Sequence, residues 1–177
     1  MNKTILTYGL ISGMISAALM LVTATYMRND MNFKYGELIG YTGILLSMLF
    51  VFLGTRSYRD NFTGGTLTFG QAFRVAILIT VISCAFYVVT WLIVYSTMMP
   101  DFMDKFTEHH LAQLKASGAS EVRIEQEAAK MEQYKAMYQN PFIRAALTFI
   151  EPFPIGLLVS LISSLLLRTR KQQAPAA

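Results

Sequence analysis

The stretch that decides the fold runs AFRVAILITVISCAFYVVTWLIVYSTMM from Ala72 to Met99. It carries no charged residue between Ile77 and Val89. A helix needs about 20 apolar residues to cross a hydrocarbon core of ~30 Å, since it rises ~1.5 Å per residue. At that rise the stretch is about 42 Å long, so the sequence predicts a membrane-spanning helix that tilts or projects beyond the bilayer.

Three further apolar segments have the same character. They lie at about residues 5–27, 35–53 and 142–167. Of the 177 residues, 54% are hydrophobic and 15% are charged, and the polar faces of water-soluble helices are almost absent. The first segment is longer than the apolar region of a cleavable signal, so we expect it to be retained. The sequence therefore predicts an all-α integral membrane four-helix bundle, a single domain over residues 1–177.

Basic residues gather at alternate ends of these segments, which predicts an orientation. The short connection between the first and second segments holds two basic residues, Arg28 and Lys34. Because cytoplasmic loops are enriched in lysine and arginine, we expect both termini to be cytoplasmic and the 100–141 connection to lie outside. The basic residues on the cytoplasmic side, where Asp60 is the only acid, are Lys3, Arg56, Arg59, Arg74, Arg168, Arg170 and Lys171.

The connection between the second and third segments, from Arg56 to Gln71, is rich in turn-forming residues such as Gly64 and Gly65. We expect an irregular loop there. Arg56 and Arg59 are candidates for contacts with anionic lipid headgroups, and Arg74 can extend its side chain to the same surface.

The connection between the third and fourth segments carries two helical patterns. Gly118 is a candidate helix stop after the first, and Ser120 is a candidate N-cap for the second. Glu127 with Lys130, and Glu132 with Lys135, are expected to pair along the exposed face. We predict an external helical hairpin over about 101–140, with apolar stripes formed by Met103, Phe106, His110 and Leu114 and by Ile124, Ala128, Met131, Tyr134 and Tyr138.

Small residues recur at helical spacing on the first two segments. Gly9 and Gly13 lie four residues apart on the first, and Gly36, Gly40 and Gly43 lie on the second. Such stripes allow helices to approach closely in lipid. We interpret them as helix-packing residues within the chain, with a homodimer interface as the alternative.

Glu151, followed by Pro152 and Pro154, is the strongest single candidate for a site. An ionisable residue in a membrane span is costly and indicates function by default. Pro152 should kink or restart the helix and disfavour helical geometry at Glu151, which would then act as a cap. Arg144, two turns earlier, is a candidate ionic neighbour. Two interpretations stay open, a structural kink and cap or a proton, cation or ligand site.

No other residues form a convincing chemical constellation. His109 and His110 point about 100° apart on a helix, so they do not chelate a metal together. We expect no catalytic residue, cofactor or metal, and the scattered basic residues do not predict nucleic-acid binding. The aromatic residues Tyr26, Tyr87, Trp91 and Tyr95 are interpreted as packing and interface anchors rather than a ligand box.

Two stretches resemble a known family. The first leads from Tyr58-Arg59-Asp60 through Gly64-Gly65 into the segment Thr68 to Val75, and the second runs from Glu151 to Ser163 with Arg168 behind it. Both resemble hallmarks of the domain of unknown function 4199 family, and the likeness spans nearly the whole chain. The resemblance implies a small bacterial inner-membrane protein with four helices and a helical insertion before the last. It brings no activity, cofactor or catalytic residue.

We therefore expect a protein that acts by interaction in the lipid bilayer, through helix packing and the external hairpin. Its partner would be a second copy of the chain or another membrane protein. The alternative is a small oligomeric transporter or channel that uses Glu151.

Overall fold

The computed structural model describes residues 3–29 and 33–169, and no strand occurs in this part of the chain. The all-α prediction is confirmed, and four stretches are long and apolar enough to cross a membrane: Lys3–Met27, Leu38–Phe62, Phe69–Thr97 and Pro141–Leu167. Arg170 and Lys171 lie outside the described residues. The helices in chain order are α1 (Lys3–Asn29), α2 (Phe33–Phe62), α3 (Phe69–Thr97), α4 (Phe102–Ala116), α5 (Glu121–Gln139), α6 (Pro141–Ile150) and α7 (Pro152–Leu167).

The bundle buries many hydroxyl groups among apolar residues such as Ile44, Met48 and Ile79, and large aliphatic side chains cover its exterior. An apolar exterior suits contact with lipid, where small and polar residues help to hold helices together. The buried hydroxyl residues include Ser12, Ser47, Thr55, Thr80, Ser83, Ser160, Ser163 and Ser164, whereas Leu38, Leu45, Leu49, Leu158, Leu165 and Leu166 are exposed.

These hydroxyls connect the helices. The Ser12 hydroxyl of α1 lies 2.7 Å from the Ser47 carbonyl oxygen of α2 and 2.8 Å from the Ser83 hydroxyl of α3. The hydroxyls of Thr80 and Ser160 lie 3.0 Å apart and join α3 to α7. The interior between the helices is therefore closed by short polar contacts as well as by apolar packing.

The second helix is longer than the sequence predicts. α2 continues from the predicted end at Leu53 to Phe62, so Arg56 and Arg59 lie on its last turns. The expected irregular loop beginning at Arg56 is therefore wrong. Arg59 Nε donates to Asp60 Oδ1 at 2.8 Å, and Arg56 Nε lies 3.6 Å from Asp60 Oδ2. The pair of Arg56 with Asp60 spans one helical turn and supports the end of α2.

The short connection from 63 to 68 ties this end of the bundle together. Gly64 and Gly65 have φ angles of 60° and 85°, a conformation that glycine adopts without strain. Thr68 and Gln71 form a capping box at the start of α3. Leu67 N–H donates to the Thr169 hydroxyl at 2.9 Å, and Thr169 N–H donates to the Leu67 carbonyl at 2.8 Å. The start of α1, the end of α2, the start of α3 and the end of α7 thus gather the basic residues at one end of the bundle.

At the opposite end, α4 and α5 form a helical hairpin, and its position outside the membrane stays a prediction. Gly118 has a φ of 75°, and the Ser120 hydroxyl accepts from Arg123 N–H at 3.4 Å, as expected for the stop and the cap. Asp104 forms an ion pair with Lys135 across the two helices, and this contact raises the pKa of Lys135. The pairing of Glu132 with Lys135 is therefore wrong, because Lys135 extends towards α4.

The other intrahelical pair of α5 is confirmed. Lys130 Nζ lies 2.7 Å from Glu127 Oε1 and lowers the pKa of that carboxyl. His110 Nε2 lies 3.9 Å from Glu127 Oε2. Because Asp104 pairs with Lys135 further along, these two contacts show that α4 and α5 run antiparallel. α3 ends at Thr97, before Pro100, and does not run continuously to Met99 as the sequence predicted.

Candidate functional site

The fourth apolar segment breaks at the predicted place. α6 ends at Ile150 and α7 begins at Pro152, which is buried, whereas Pro154 is exposed. Neither proline has an N–H, so the helical hydrogen bonds of these two residues are missing. Glu151 nevertheless keeps helical backbone angles, φ −67° and ψ −59°, and its side chain makes no capping hydrogen bond. Glu151 thus holds the N-cap position of α7, as expected for a helix that restarts at the proline, but the expected non-helical backbone and side-chain cap are wrong.

The Glu151 side chain instead reaches α3. The phenol of Tyr87 donates to Glu151 Oε2 at 2.9 Å. Glu151 is exposed, and Tyr87 is half-buried. The break in the fourth segment thus directs a carboxylate across the bundle towards a neutral donor.

Arg144 is not the ionic neighbour of Glu151. Its guanidinium lies 4.0 Å from the centre of the Tyr95 ring and 5.8 Å from that of Tyr138, both favourable for cation–π attraction. Its Nε is buried without a hydrogen-bond partner among the described residues. The sequence separation placed Arg144 on the same side as Glu151, but the aromatic residues of α3 and α5 hold its side chain.

A cavity of about 460 Å³ lies beside Glu151 at the hairpin end of the bundle. It arises because α2 packs on α7, whereas α6 packs on α3 and α5. The space between α2 and α6 is therefore left unfilled on the hairpin side of the break at Glu151. Tyr41 on α2 and Glu151 both line the cavity. The exposed fraction of Tyr41 is 50%, and Glu151 is also exposed.

The cavity wall is aromatic and apolar with one carboxylate. Glu151 is the only charged side chain among the described residues that line it. Its volume falls in the range of small-molecule sites, which are mostly apolar with a few placed polar groups. The aromatic lining residues are Tyr41, Tyr87, Trp91, Phe102, Phe106 and Tyr138, and the aliphatic ones include Leu19, Met20, Ala24, Met27, Ile44, Met99 and Leu147.

The hairpin contributes part of this wall. Trp91 Nε1–H donates to the Tyr138 hydroxyl at 2.5 Å, and the Trp91 ring meets the Phe102 ring edge to face at 5.0 Å. Burial raises the pKa of the Tyr138 hydroxyl, which therefore stays protonated at neutral pH. The aromatic residues of α3, α4 and α5 thus fix the hairpin over the cavity.

The family model described as "Protein of unknown function (DUF4199)" matches residues 7–169. The chain belongs to the DUF4199 family. No curated protein and no solved structure shows significant similarity to it. Family membership confirms the resemblance and assigns no activity, so the site of this DUF4199 protein has to be interpreted from its own residues.

The glycine stripes of the DUF4199 protein have different surroundings. A Cβ on Gly9 or Gly13 would lie 2.8 Å from Ile82 or 2.7 Å from Phe86, so both glycines face α3. Gly36 approaches Met27, and Gly43 approaches Leu19, both on α1.

Gly40 differs from the other four glycines. A Cβ placed there would have nothing within 4 Å, and Gly40, like Gly36 and Gly43, lines the cavity. Gly40 therefore makes no close contact with another helix among the described residues, and a role in an interface between two copies stays a prediction.

The cationic candidates lie far from the cavity. Arg56 and Arg59 flank Asp60 at the opposite end of the bundle, and Arg74 is exposed on the first turns of α3. In the hairpin, His109 and His110 belong to no group of three or more metal-ligating residues among those described.

Sequence reasoning missed the gathering of aromatic residues around Glu151. Tyr87 and Trp91 lie four residues apart on one face of α3, which is a signal for a shared environment but not for a cavity. Tyr138 comes from α5, and only the hairpin packing brings it to Trp91. The interpretation of Tyr87 and Trp91 as packing anchors is therefore incomplete, since both also line the cavity.

Proposed function

We propose that this DUF4199 protein is a multi-pass protein of the bacterial inner membrane that acts by binding and does not catalyse a reaction. Its ligand would be a small apolar or amphipathic molecule held in the cavity beside Glu151. The observation that carries this proposal is the aromatic wall with its single carboxylate. In a membrane protein, an ionisable group that faces a cavity marks a functional site.

Ligand entry would be lateral, from the outer leaflet. The basic end of the bundle would be cytoplasmic, with both termini, and the hairpin would lie outside. Glu151 lies 16 residues before the end of α7, which is about 24 Å along a helix. In a hydrocarbon core of ~30 Å this depth is just below the outer headgroups. The gap between α2 and α6 would therefore open towards the lipid chains.

Interaction with a second copy or another membrane protein remains part of the proposal, at a different place from the one that the sequence favoured. Gly9 and Gly13 are covered by α3. Most of the apolar stripe of α5 is half-buried within the chain, and Tyr134 is the exposed exception. A protein partner would therefore have to use the outward-facing aliphatic side chains of the bundle.

The chain carries its own reporter for a binding experiment, because Trp91 is its one tryptophan and lines the cavity. We would purify the protein in lipid nanodiscs and titrate neopentylbenzene, a neutral apolar molecule, while recording Trp91 fluorescence. The expected result is a saturable change. Gly40→Leu, which fills the cavity from a position with open space, should abolish it.

Gly70→Leu is the matched control. Gly70 is also helical and free of neighbours within 4 Å, but it lies on the first turn of α3, away from the cavity. Saturation in the wild type and in Gly70→Leu, with none in Gly40→Leu, supports the proposal. A linear, unsaturable response that is the same in all three proteins would show partitioning into lipid and contradict it.

A small oligomeric transporter or channel is the second candidate, favoured by the hydroxyls that continue below Glu151. Ser83 and Thr80 follow Tyr87 along one face of α3, and Ser160 lies opposite. All three are buried and bonded to one another or to neighbouring helices, which argues against a water-filled path in one copy. Ion flux into vesicles that is lost in Glu151→Gln would favour this candidate, and unchanged flux would reject it.

A further inference from the structure

We propose that the ligand of this cavity carries an ammonium group on an apolar body, and that the ammonium binds between Glu151 and the aromatic rings. The inference rests on the proposed binding function and names the chemical class of the ligand.

The negative charge of Glu151 has no cationic partner among the described side chains. In the hydrocarbon region of a membrane, a carboxylate stays ionised only when a cation or several hydrogen-bond donors balance its charge. Glu151 has one neutral donor, the Tyr87 phenol. The nearest basic candidate on the same segment, Arg144, is held at 4.0 Å from the Tyr95 ring and forms no ion pair with a carboxylate in the described part of the chain. The complementary charge would therefore come from the ligand.

The cavity wall around the Glu151 carboxylate is aromatic. Tyr41, Tyr87 and Trp91 line the cavity together with Glu151. Aromatic side chains attract ammonium groups through their ring faces, and this attraction strengthens where water is excluded. An anionic ligand would be repelled by Glu151 and would find no cationic side chain among the described lining residues. A carboxylate among aromatic rings is thus suited to an organic cation.

The aliphatic part of the cavity indicates an apolar body for the rest of the ligand. Beyond Glu151 the cavity is bounded by aliphatic residues such as Met20, Met27 and Ile44. A bare inorganic cation would leave this apolar volume unfilled and would lack the oxygen ligands that hard cations require. An apolar body attached to the ammonium group would fill it.

The experiment compares two molecules of the same shape. Benzyltrimethylammonium carries a positive charge, and neopentylbenzene has a carbon atom in place of its nitrogen. Both are titrated against the full chain in phosphatidylglycerol nanodiscs, whose lipid has no amine, and Trp91 fluorescence is recorded. We expect benzyltrimethylammonium to bind about tenfold more tightly or better, which is the scale of a desolvated cation–π and carboxylate contact.

Glu151→Gln removes the charge and keeps an oxygen that can accept from Tyr87. It should remove the preference for benzyltrimethylammonium over neopentylbenzene. Saturable binding of neopentylbenzene by the variant shows that it is folded. Because anionic lipid also attracts cations to the bilayer surface, Gly40→Leu is titrated with both molecules and should bind neither.

The outcomes separate the inference from the proposed function. Equal affinities in the wild type, or a preference for the cation that persists in Glu151→Gln, would overturn the ammonium assignment and leave cavity binding intact. Saturable binding of neither molecule would overturn both.

A last arm identifies the source of the ammonium group. Phosphatidylethanolamine is mixed into the nanodiscs and the titration with benzyltrimethylammonium is repeated. Competition assigns the natural ligand to an amine-bearing lipid headgroup, whereas unchanged affinity assigns it to a free organic cation.

Discussion

The Tyr87 phenol and the Glu151 carboxylate are joined by a hydrogen bond of 2.9 Å between α3 and the break of the fourth segment. The two prolines interrupt the helix next to this residue, and its carboxylate lines the cavity as well as contacting Tyr87.

Removing this donor should destabilise the fold by a small amount. Tyr87→Phe leaves Glu151 without its hydrogen bond, and we expect a loss of about 1–2 kcal/mol in the free energy of unfolding. Denaturation in mixed micelles, followed by Trp91 fluorescence, measures this loss. Tyr95→Phe is the control, because the Tyr95 hydroxyl makes no hydrogen bond among the described residues while its ring still contacts Arg144. Equal losses in both variants would contradict the importance of the contact.

The close approach of α3 and α7 should depend on Gly156. A Cβ at this position would overlap the Thr80 Cγ2 methyl, and overpacking of this kind costs about 1–3 kcal/mol. Gly156→Ala should therefore reduce the yield of folded protein.

Thr80→Ser removes that methyl and retains the hydroxyl that contacts Ser160. The double variant Gly156→Ala with Thr80→Ser should recover most of the lost stability, as measured by the same unfolding experiment. A double variant no better than Gly156→Ala alone would show that the two helices are not packed as described.

The hairpin turn should depend on Gly118. Its φ of 75° is left-handed, and alanine there costs about 1 kcal/mol. Limited proteolysis of the purified protein should cleave Gly118→Ala faster than the wild type between α4 and α5. Gly118→Asn should be cleaved at a rate closer to that of the wild type, because asparagine tolerates this conformation. Identical rates for alanine and asparagine would contradict the turn.

The orientation predicted by the basic residues can be tested with cysteines. The native Cys84 is buried, so it should contribute little labelling. A membrane-impermeant maleimide should label Ser117→Cys on the hairpin in intact spheroplasts and should label Thr66→Cys on the α2–α3 connection only after lysis. The opposite pattern would invert the topology.

The sequence was sufficient for the features that depend on neighbouring residues. Runs of apolar residues predicted the four long helices, Gly118 and Ser120 predicted the turn, and Pro152 predicted the break. Each of these rests on a local physical preference, such as the missing N–H of proline or the left-handed conformation of glycine. The predicted end of α2 was too early, because the glycines that turn the chain, Gly64 and Gly65, lie beyond Phe62 and do not shorten the helix before them.

The site required contacts between distant parts of the chain. Arg144 was the expected ionic neighbour of Glu151 because it lies two turns away. Tyr87, more than 60 residues earlier, supplies a hydrogen bond to Glu151 instead. Gly40 followed the same spacing as Gly36, but a Cβ placed there would meet no neighbour within 4 Å, whereas Gly36 and Gly43 approach α1. Neither periodicity nor spacing indicates where two helices separate, so the cavity itself was not predictable.

The central claim is that the space beside Glu151 is occupied by a ligand, and photolabelling tests it most directly. A diazirine derivative of benzyltrimethylammonium would be irradiated with the protein in nanodiscs, and the modified residues would be mapped by mass spectrometry. The account predicts labels on Met27, Met99 and Phe102 around the cavity, suppressed by excess benzyltrimethylammonium. Labels confined to outward-facing residues such as Leu45 and Leu49, and unaffected by the competitor, would contradict it.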